Sequence, residues 1–130
     1  MTMDSHDKQT TKNRHFGQAM QHALSGVWNV FSRERNMRYH GTAAVIAVAA
    51  GFWLKISEQE WLWIIFAIFF VFLSEFANTV AESLTDLIVK GQYHPLAKRV
   101  KDVSAGSVLI SALFAIIVGA IIFVPKLFRL

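Results

Sequence analysis

Glu75, Asn78, Thr79, Glu82 and Asp86 stand at offsets of 0, 3, 4, 7 and 11 along one stretch of chain. On an α-helix these offsets fall within a sector of about 100 degrees, so the five side chains form one polar face. Carboxylates repeated on a single face call for a cation, and two kinds are at hand. Lys101, followed by Asp102, can pair with Glu82 or Asp86. The oxygens of Glu82, Asn78 and Glu34 are also hard donors suited to Mg²⁺, which keeps several waters and shares its shell with substrate phosphates. Glu34 is the only acid in Arg33-Glu34-Arg35-Asn36-Met37-Arg38. Alone it reads as a partner for its basic neighbours; beside Mg²⁺ it reads as a ligand, and arginines such as Arg35 become phosphate contacts. Tyr93 and His94 lie in the turn Gly91-Gln92-Tyr93-His94-Pro95. Tyr93 is either an interfacial anchor or a group that meets a nucleotide base. His94 has no metal-ligand spacing around it, so zinc is not expected.

The elements that position these residues are apolar. The chain has 130 residues, room for one domain, and is 54% hydrophobic but only 17% charged. A soluble chain this small needs more polar surface, so the balance points to a membrane. With no cysteine, disulfides, thiolate metal sites and cysteine nucleophiles are excluded. Val103 to Val124 is a run of 22 residues without a formal charge, about 33 Å of helix and enough to cross the hydrocarbon core. A second run starts at Trp61 and continues in helix-compatible residues through Val89. Gly41 to Leu54 holds only 14 uncharged residues and becomes long enough when Arg38 and Lys55 snorkel outward; a buried core helix is the alternative. With Trp61 at the outer boundary, about 30 Å of helix is used by residue 81, which leaves Glu75 below the inner interface and Asp86 just outside it.

Three spans put the ends of the chain on opposite sides. Ten of the 13 basic residues fall on the side of the N-terminus and of the 90–102 loop, against Lys55, Lys126 and Arg129 on the other. The N-terminus and that loop are therefore expected in the cytoplasm, with the C-terminus outside. Phe52, Trp53, Trp61 and Trp63 gather at the outer interface, and Ser57 with Glu60 fits a capping box. Residues 1–13 read as a flexible polar tail without the apolar core of a signal peptide. From Phe16 to Phe31 apolar residues recur at helical spacing opposite Gln18, Gln21, His22 and Asn29. This predicts an amphipathic helix on the inner membrane surface, the alternative being a helix that covers the bundle. The expected architecture is all-α and integral to the membrane: a surface helix over about 14–35 and spans over about 38–56, 60–89 and 102–124.

No glycine-rich nucleotide loop is present, so a nucleotide would be held by helix faces and the 90–102 loop. The polar stretch Glu75-Phe-Ala-Asn78-Thr79-Val-Ala-Glu82-Ser-Leu-Thr-Asp86, with Tyr93-His-Pro-Leu-Ala-Lys98, Lys101-Asp102-Val-Ser-Ala-Gly-Ser-Val-Leu109 and Arg33-Glu34-Arg35-Asn36, resembles the small prokaryotic diacylglycerol and undecaprenol kinases. The likeness covers nearly everything after residue 14, in the same order. It implies a homotrimeric membrane enzyme, with 14–130 as one lipid-kinase domain, that moves the γ-phosphate of MgATP to a lipid alcohol. Glu75 would be the base facing the lipid hydroxyl, and Glu34 and Glu82 would hold Mg²⁺. Asn78, Asp86, Lys101 and Asp102 would surround the phosphates. The forms of the Arg-Glu-Arg-Asn and Tyr-His-Pro motifs resemble the Gram-positive undecaprenol kinases more than diacylglycerol kinases. Ala77, Val80 and Ala81 depart from the family pattern and bear on helix packing. Small residues from Ser104 to Gly119 offer a stripe for close packing in an oligomer.

Those implied roles suit the chemistry, since phosphoryl transfer is mainly positioning and charge neutralisation. Two other classes stay open on the residues alone: a membrane scaffold using the polar face to pair with a partner, and a transporter using Glu75 as a relay. The transporter lacks a carboxylate in the outer half of any span. No nucleic-acid partner is expected.

Overall fold

A computed structural model describes residues 12–130, and all regular structure among them is helical: α1 (Phe16–Arg33), α2 (Arg35–Trp53), α3 (Glu58–Val89) and α4 (Pro95–Leu127). The expected polar tail over 1–13 lies largely outside the described residues. Two compact units divide the chain, one ending at Glu34 and the other running Arg35–Leu130.

In the first unit α1 is started by His15, whose side chain accepts from the Gln18 N–H at 3.1 Å. It is ended by Glu34, whose N–H donates to the Val30 carbonyl. Phe16, Leu24 and Trp28 on its apolar face are all exposed, the amphipathic pattern read from the spacing. The helix ends at Arg33, two residues before the expected boundary.

The second unit is built on an antiparallel hairpin of α3 and α4. Ser57 starts α3 through the expected capping box: its hydroxyl accepts from the Glu60 N–H at 3.3 Å, and the Glu60 carboxylate accepts from the Ser57 N–H at 2.8 Å. Lys90 ends α3 in the left-handed conformation, followed by Gly91 at φ +80°, where the absence of a Cβ relieves the strain. His94 then caps α4 and Pro95 opens it, a position where the missing N–H costs nothing. The 90–102 loop is therefore corrected: it is only Lys90–His94, and Lys98, Arg99, Lys101 and Asp102 ride on a helix. The stretch expected as a third span, 102–124, lies within the longer α4.

Buried residues recur in steps of three and four on α3, at Ile64, Ala67, Val71, Glu75 and Asn78, and in steps of three, seven and four on α4, at Val108, Ser111, Val118 and Ile122. That is the spacing of a coiled-coil seam. One end of the seam is apolar, with Ile64, Ala67, Val118 and Ile122 joined by Ile56 and flanked by Trp61 and Phe114. The other end carries Glu75, Asn78 and Thr85 in buried positions. α2 packs mainly on α3 and more lightly on α4. At its end Gly51 lets Trp61 approach, and Trp61 meets Phe52 with ring centroids 4.8 Å apart.

α3 and α4 are long and apolar enough to cross a membrane, and only 28% and 22% of their most apolar stretches are buried. A soluble core helix would be mostly covered, so these helices offer their side chains to an apolar solvent. α2 does not reach the same length and composition. At about 48–50 Å each, α3 and α4 exceed the roughly 30 Å hydrocarbon layer.

Candidate functional site

The polar end of the hairpin brings together much of what the spacing singled out. Asn78 bridges the two arms: Ser104 Oγ donates to its Oδ1 at 2.6 Å, and its own Nδ2 donates to Glu82 Oε1 at 3.3 Å. One turn further along α3, Lys101 Nζ donates to Asp86 Oδ1 at 2.6 Å. Between the two carboxylates that the sequence left open, Lys101 thus takes Asp86. The pair is well exposed on both sides, so it adds little to stability and can open to an anionic ligand at small cost. Asp102 pairs with Lys98 one helical turn away, also in the open.

Asp86, Tyr93, His94, Lys101 and Asp102 line one cavity of about 370 Å³ where the hairpin turns. Tyr93 is exposed there, as a group that meets an incoming ligand must be. His94 has a structural task as well, since its Nδ1 accepts from the Leu96 N–H at 3.1 Å and caps α4. Arg35 opens α2 with an exposed side chain, and Glu34 is the C-cap of α1 and the last residue of the first unit.

Glu75 lies deeper on the same face, two turns before Glu82, and is only 2% exposed. A carboxylate so enclosed needs a cationic or hydrogen-bonding neighbour. His40 on α2 lies against it, with Nε2 3.2 Å from Glu75 Oε1, within ion-pair distance but without the geometry of a hydrogen bond. Among the described residues no group of three or more His, Asp and Glu side chains forms a ready-made metal site. The half-buried Glu82 carboxylate, held by Asn78, is nevertheless a donor of the right chemistry for Mg²⁺, which needs one or two carboxylates and fills its shell with water and phosphate oxygens.

The polar face of α3 is thus buried at Glu75 and Asn78, half-buried at Glu82 and open at Asp86, where a lysine from the antiparallel arm joins it. The model of the prokaryotic diacylglycerol kinase family matches residues 21–123. The chain belongs to this family. It is 40% identical over 125 residues to an undecaprenol kinase of Bacillus subtilis, which covers 96% of this chain and all of that protein. It is 35% identical over 112 residues to a diacylglycerol kinase of Synechocystis, 86% of this chain and 64% of that longer protein. The resemblance drawn from the motifs is thereby borne out, and so is the kinase class. Family membership and two long apolar helices make this a membrane protein.

Two residues of the site escaped the sequence reading. In the sequence His40 only lengthens the first span, and Ser104 only belongs to a stripe of small packing residues. The signal for Ser104 is its place one turn after Lys101. For His40 it is an ionisable side chain between Tyr39 and Gly41 at the mouth of an apolar run, a feature that in a membrane helix asks for a partner.

Proposed function

We propose that this chain transfers the γ-phosphoryl group of ATP to a membrane lipid alcohol, with undecaprenol as the acceptor and undecaprenyl phosphate as the product. The observation that carries the reading is the single face of α3 on which a buried carboxylate, Glu75, is followed by Asn78, Glu82 and Asp86, joined to Ser104 and Lys101 of α4. Undecaprenol is preferred to diacylglycerol because the relative matched along its whole length is named an undecaprenol kinase.

In this reading Glu75 stands at the proton-accepting end, near the depth of a lipid hydroxyl, and the hairpin turn meets water-borne nucleotide. Lys101 and Arg35 provide positive charge for phosphate oxygens, Asp86 orients Lys101, and Asp102 with Lys98 borders the same cavity. Tyr93 and His94 flank the nucleotide. Asn78 sets the orientation of Glu82. Glu82 and Glu34 would hold the Mg²⁺ that comes with ATP and neutralises charge on the phosphates. Residues 14–130 act as one lipid-kinase domain in the cell membrane. α1 lies on the inner surface, α2, α3 and α4 cross, the N-terminus and the hairpin turn are cytoplasmic, and the C-terminus is outside. The exposed apolar sides of α3 and α4 suit assembly into a homotrimer.

The test is purified protein in mixed micelles with MgATP, offered undecaprenol and diacylglycerol separately. Faster phosphorylation of undecaprenol is the expected result. Preference for diacylglycerol would reassign the acceptor, and no turnover of either lipid would leave a membrane scaffold as the better description.

A further inference from the structure

An apolar groove of about 300 Å³ lies between α2, α3 and α4, and half of the residues that line it are alanines: Ala43, Ala44 and Ala47 on α2, Ala67 on α3, and Ala112 and Ala115 on α4. Large apolar side chains such as Phe69, Leu73, Leu113 and Ile117 are exposed elsewhere and take no part in its walls. Small residues in membrane helices normally let two backbones touch. Here α2 packs only lightly on α4, and the missing side-chain atoms leave open space instead. The groove runs from His40 and Phe72 to Ala47 and Ile64, about 10 Å along the helices. Among the described residues His40 is its only titratable wall group. Ile64, Ala67 and Val71 stand both on its wall and on the buried face of α3 that leads, one turn further, to Glu75. An apolar chain laid in the groove therefore ends at the turn of α3 that carries the buried carboxylate.

We propose that the alanines of this groove select the acceptor: they hold the first isoprene units of a single polyprenyl chain, and the width they leave favours a prenol over straight-chain and two-chain lipids. This rests on the reading of the chain as an undecaprenol kinase with the acceptor hydroxyl at Glu75. An isoprenoid carries a methyl branch on every unit, so at regular intervals it is broader than a straight acyl chain. Alanines on all three helices leave room for those branches. A straight chain in the same channel leaves that room unfilled, and a gap beside it forfeits dispersion contacts. Diacylglycerol has its two chains on adjacent carbons, and one groove bounded by three helices covers only one of them. The far part of a long polyprenol, beyond Ile64, stays in the bilayer, so the selection is made close to the hydroxyl. A difference of one methylene in an apolar pocket is worth roughly 10–200-fold in discrimination, so the shape of the groove suffices without a polar contact to the chain.

The experiment uses the full chain in detergent micelles with MgATP and three acceptors: undecaprenol, oleyl alcohol as a single straight chain, and diacylglycerol. The wild type should favour undecaprenol over oleyl alcohol by at least about tenfold in kcat/KM. Ala44→Leu, at a half-buried place on the α2 wall, should raise the KM for undecaprenol by about tenfold or more. Its kcat and its KM for MgATP should stay near wild type, because the binding lost is common to the ground and transition states. Its kcat/KM for oleyl alcohol should fall less, so the preference for the prenol narrows. Ala115→Leu, half-buried on the α4 wall, should act in the same way, whereas Ala49→Leu, exposed on α2 and off the groove, should leave every constant as in the wild type. An undecaprenol KM unchanged in both groove variants overturns the proposal. A change of size in detergent with that KM unchanged overturns it too and gives the groove to a second copy of the chain. Equal losses on undecaprenol and oleyl alcohol also overturn it, being the mark of a general packing defect. If the wild type itself prefers diacylglycerol, or phosphorylates none of the three, the reading as an undecaprenol kinase fails first and the selecting role of the groove falls with it.

Discussion

At the residue scale, Glu82 separates a metal ligand from a member of a structural network. Its Oε1 accepts from Asn78 Nδ2 at 3.3 Å, and Asn78 in turn accepts from Ser104 at 2.6 Å. Glu82→Gln keeps an oxygen for Asn78 but removes the charge, so the bridge between α3 and α4 survives while the attraction for Mg²⁺ is lost. The expected outcome is turnover reduced by at least about tenfold, a higher Mg²⁺ requirement, and unchanged size in detergent, since lost charge-assisted contacts cost on the order of 1.5–3 kcal/mol. Titrating Mg²⁺ against rate checks it; a normal requirement and rate would return Glu82 to the structural network. The same residue illustrates what spacing can reveal. Offsets of 3, 4, 7 and 11 place Glu75, Asn78, Glu82 and Asp86 on one face before any contact is known, because helical geometry alone decides it. The pairing of Glu75 with His40 depends instead on how α2 leans on α3, and no local pattern carries that.

At the element scale, the close approach at the end of α2 is the sharpest packing constraint. A Cβ added at Gly51 would stand 2.7 Å from Trp61 Cη2 and 2.9 Å from Cζ2, with Ile56 Cδ1 at 3.1 Å. Trp61 cannot turn away freely, since it is packed against the apolar core and lies against Phe52. Gly51→Ala is expected to destabilise by about 1–3 kcal/mol, the usual cost of overpacking, seen as a lower thermal midpoint in detergent. Trp61→Phe should recover part of the loss by giving up the second ring. A midpoint equal to wild type would mean that the α2–α3 corner is looser than this contact demands. The element boundaries were legible where a side chain announces them, as Ser57 and Glu60 do for α3. They were misread over 90–102 because the charges of Lys98, Arg99, Lys101 and Asp102 suggested a solvated loop. His94 and Pro95 outweigh that impression: a capping side chain followed by proline at the first helical position starts a helix whatever the charge of its next turns.

At the scale of the whole molecule the question is how many helices cross. α3 and α4 are joined by the Lys90–His94 turn, so the ends of that hairpin share one side if both cross, whatever α2 does. α2 has 19 residues, about 28 Å, which just matches the hydrocarbon layer, but its uncharged part is only Gly41 to Leu54. The ten-to-three division of basic residues favours crossing, because it keeps the arginines before α2 on the same side as Lys90, Lys98, Arg99 and Lys101. The absence of native cysteine makes this directly measurable with single cysteines at Lys12, Gln59 and Gln92, each exposed on its own element or connection. With three crossings, an impermeant thiol reagent should label Gln59→Cys in intact cells, and Lys12→Cys and Gln92→Cys only after permeabilisation. Labelling of Lys12→Cys and Gln59→Cys from the same side would mean that α2 does not cross and the basic residues before it face away from those of α4. Equal outside access at Gln59→Cys and Gln92→Cys would remove the crossing of α3 itself, and with it the separation of a lipid-facing Glu75 from a water-facing nucleotide site on which the proposed reaction depends.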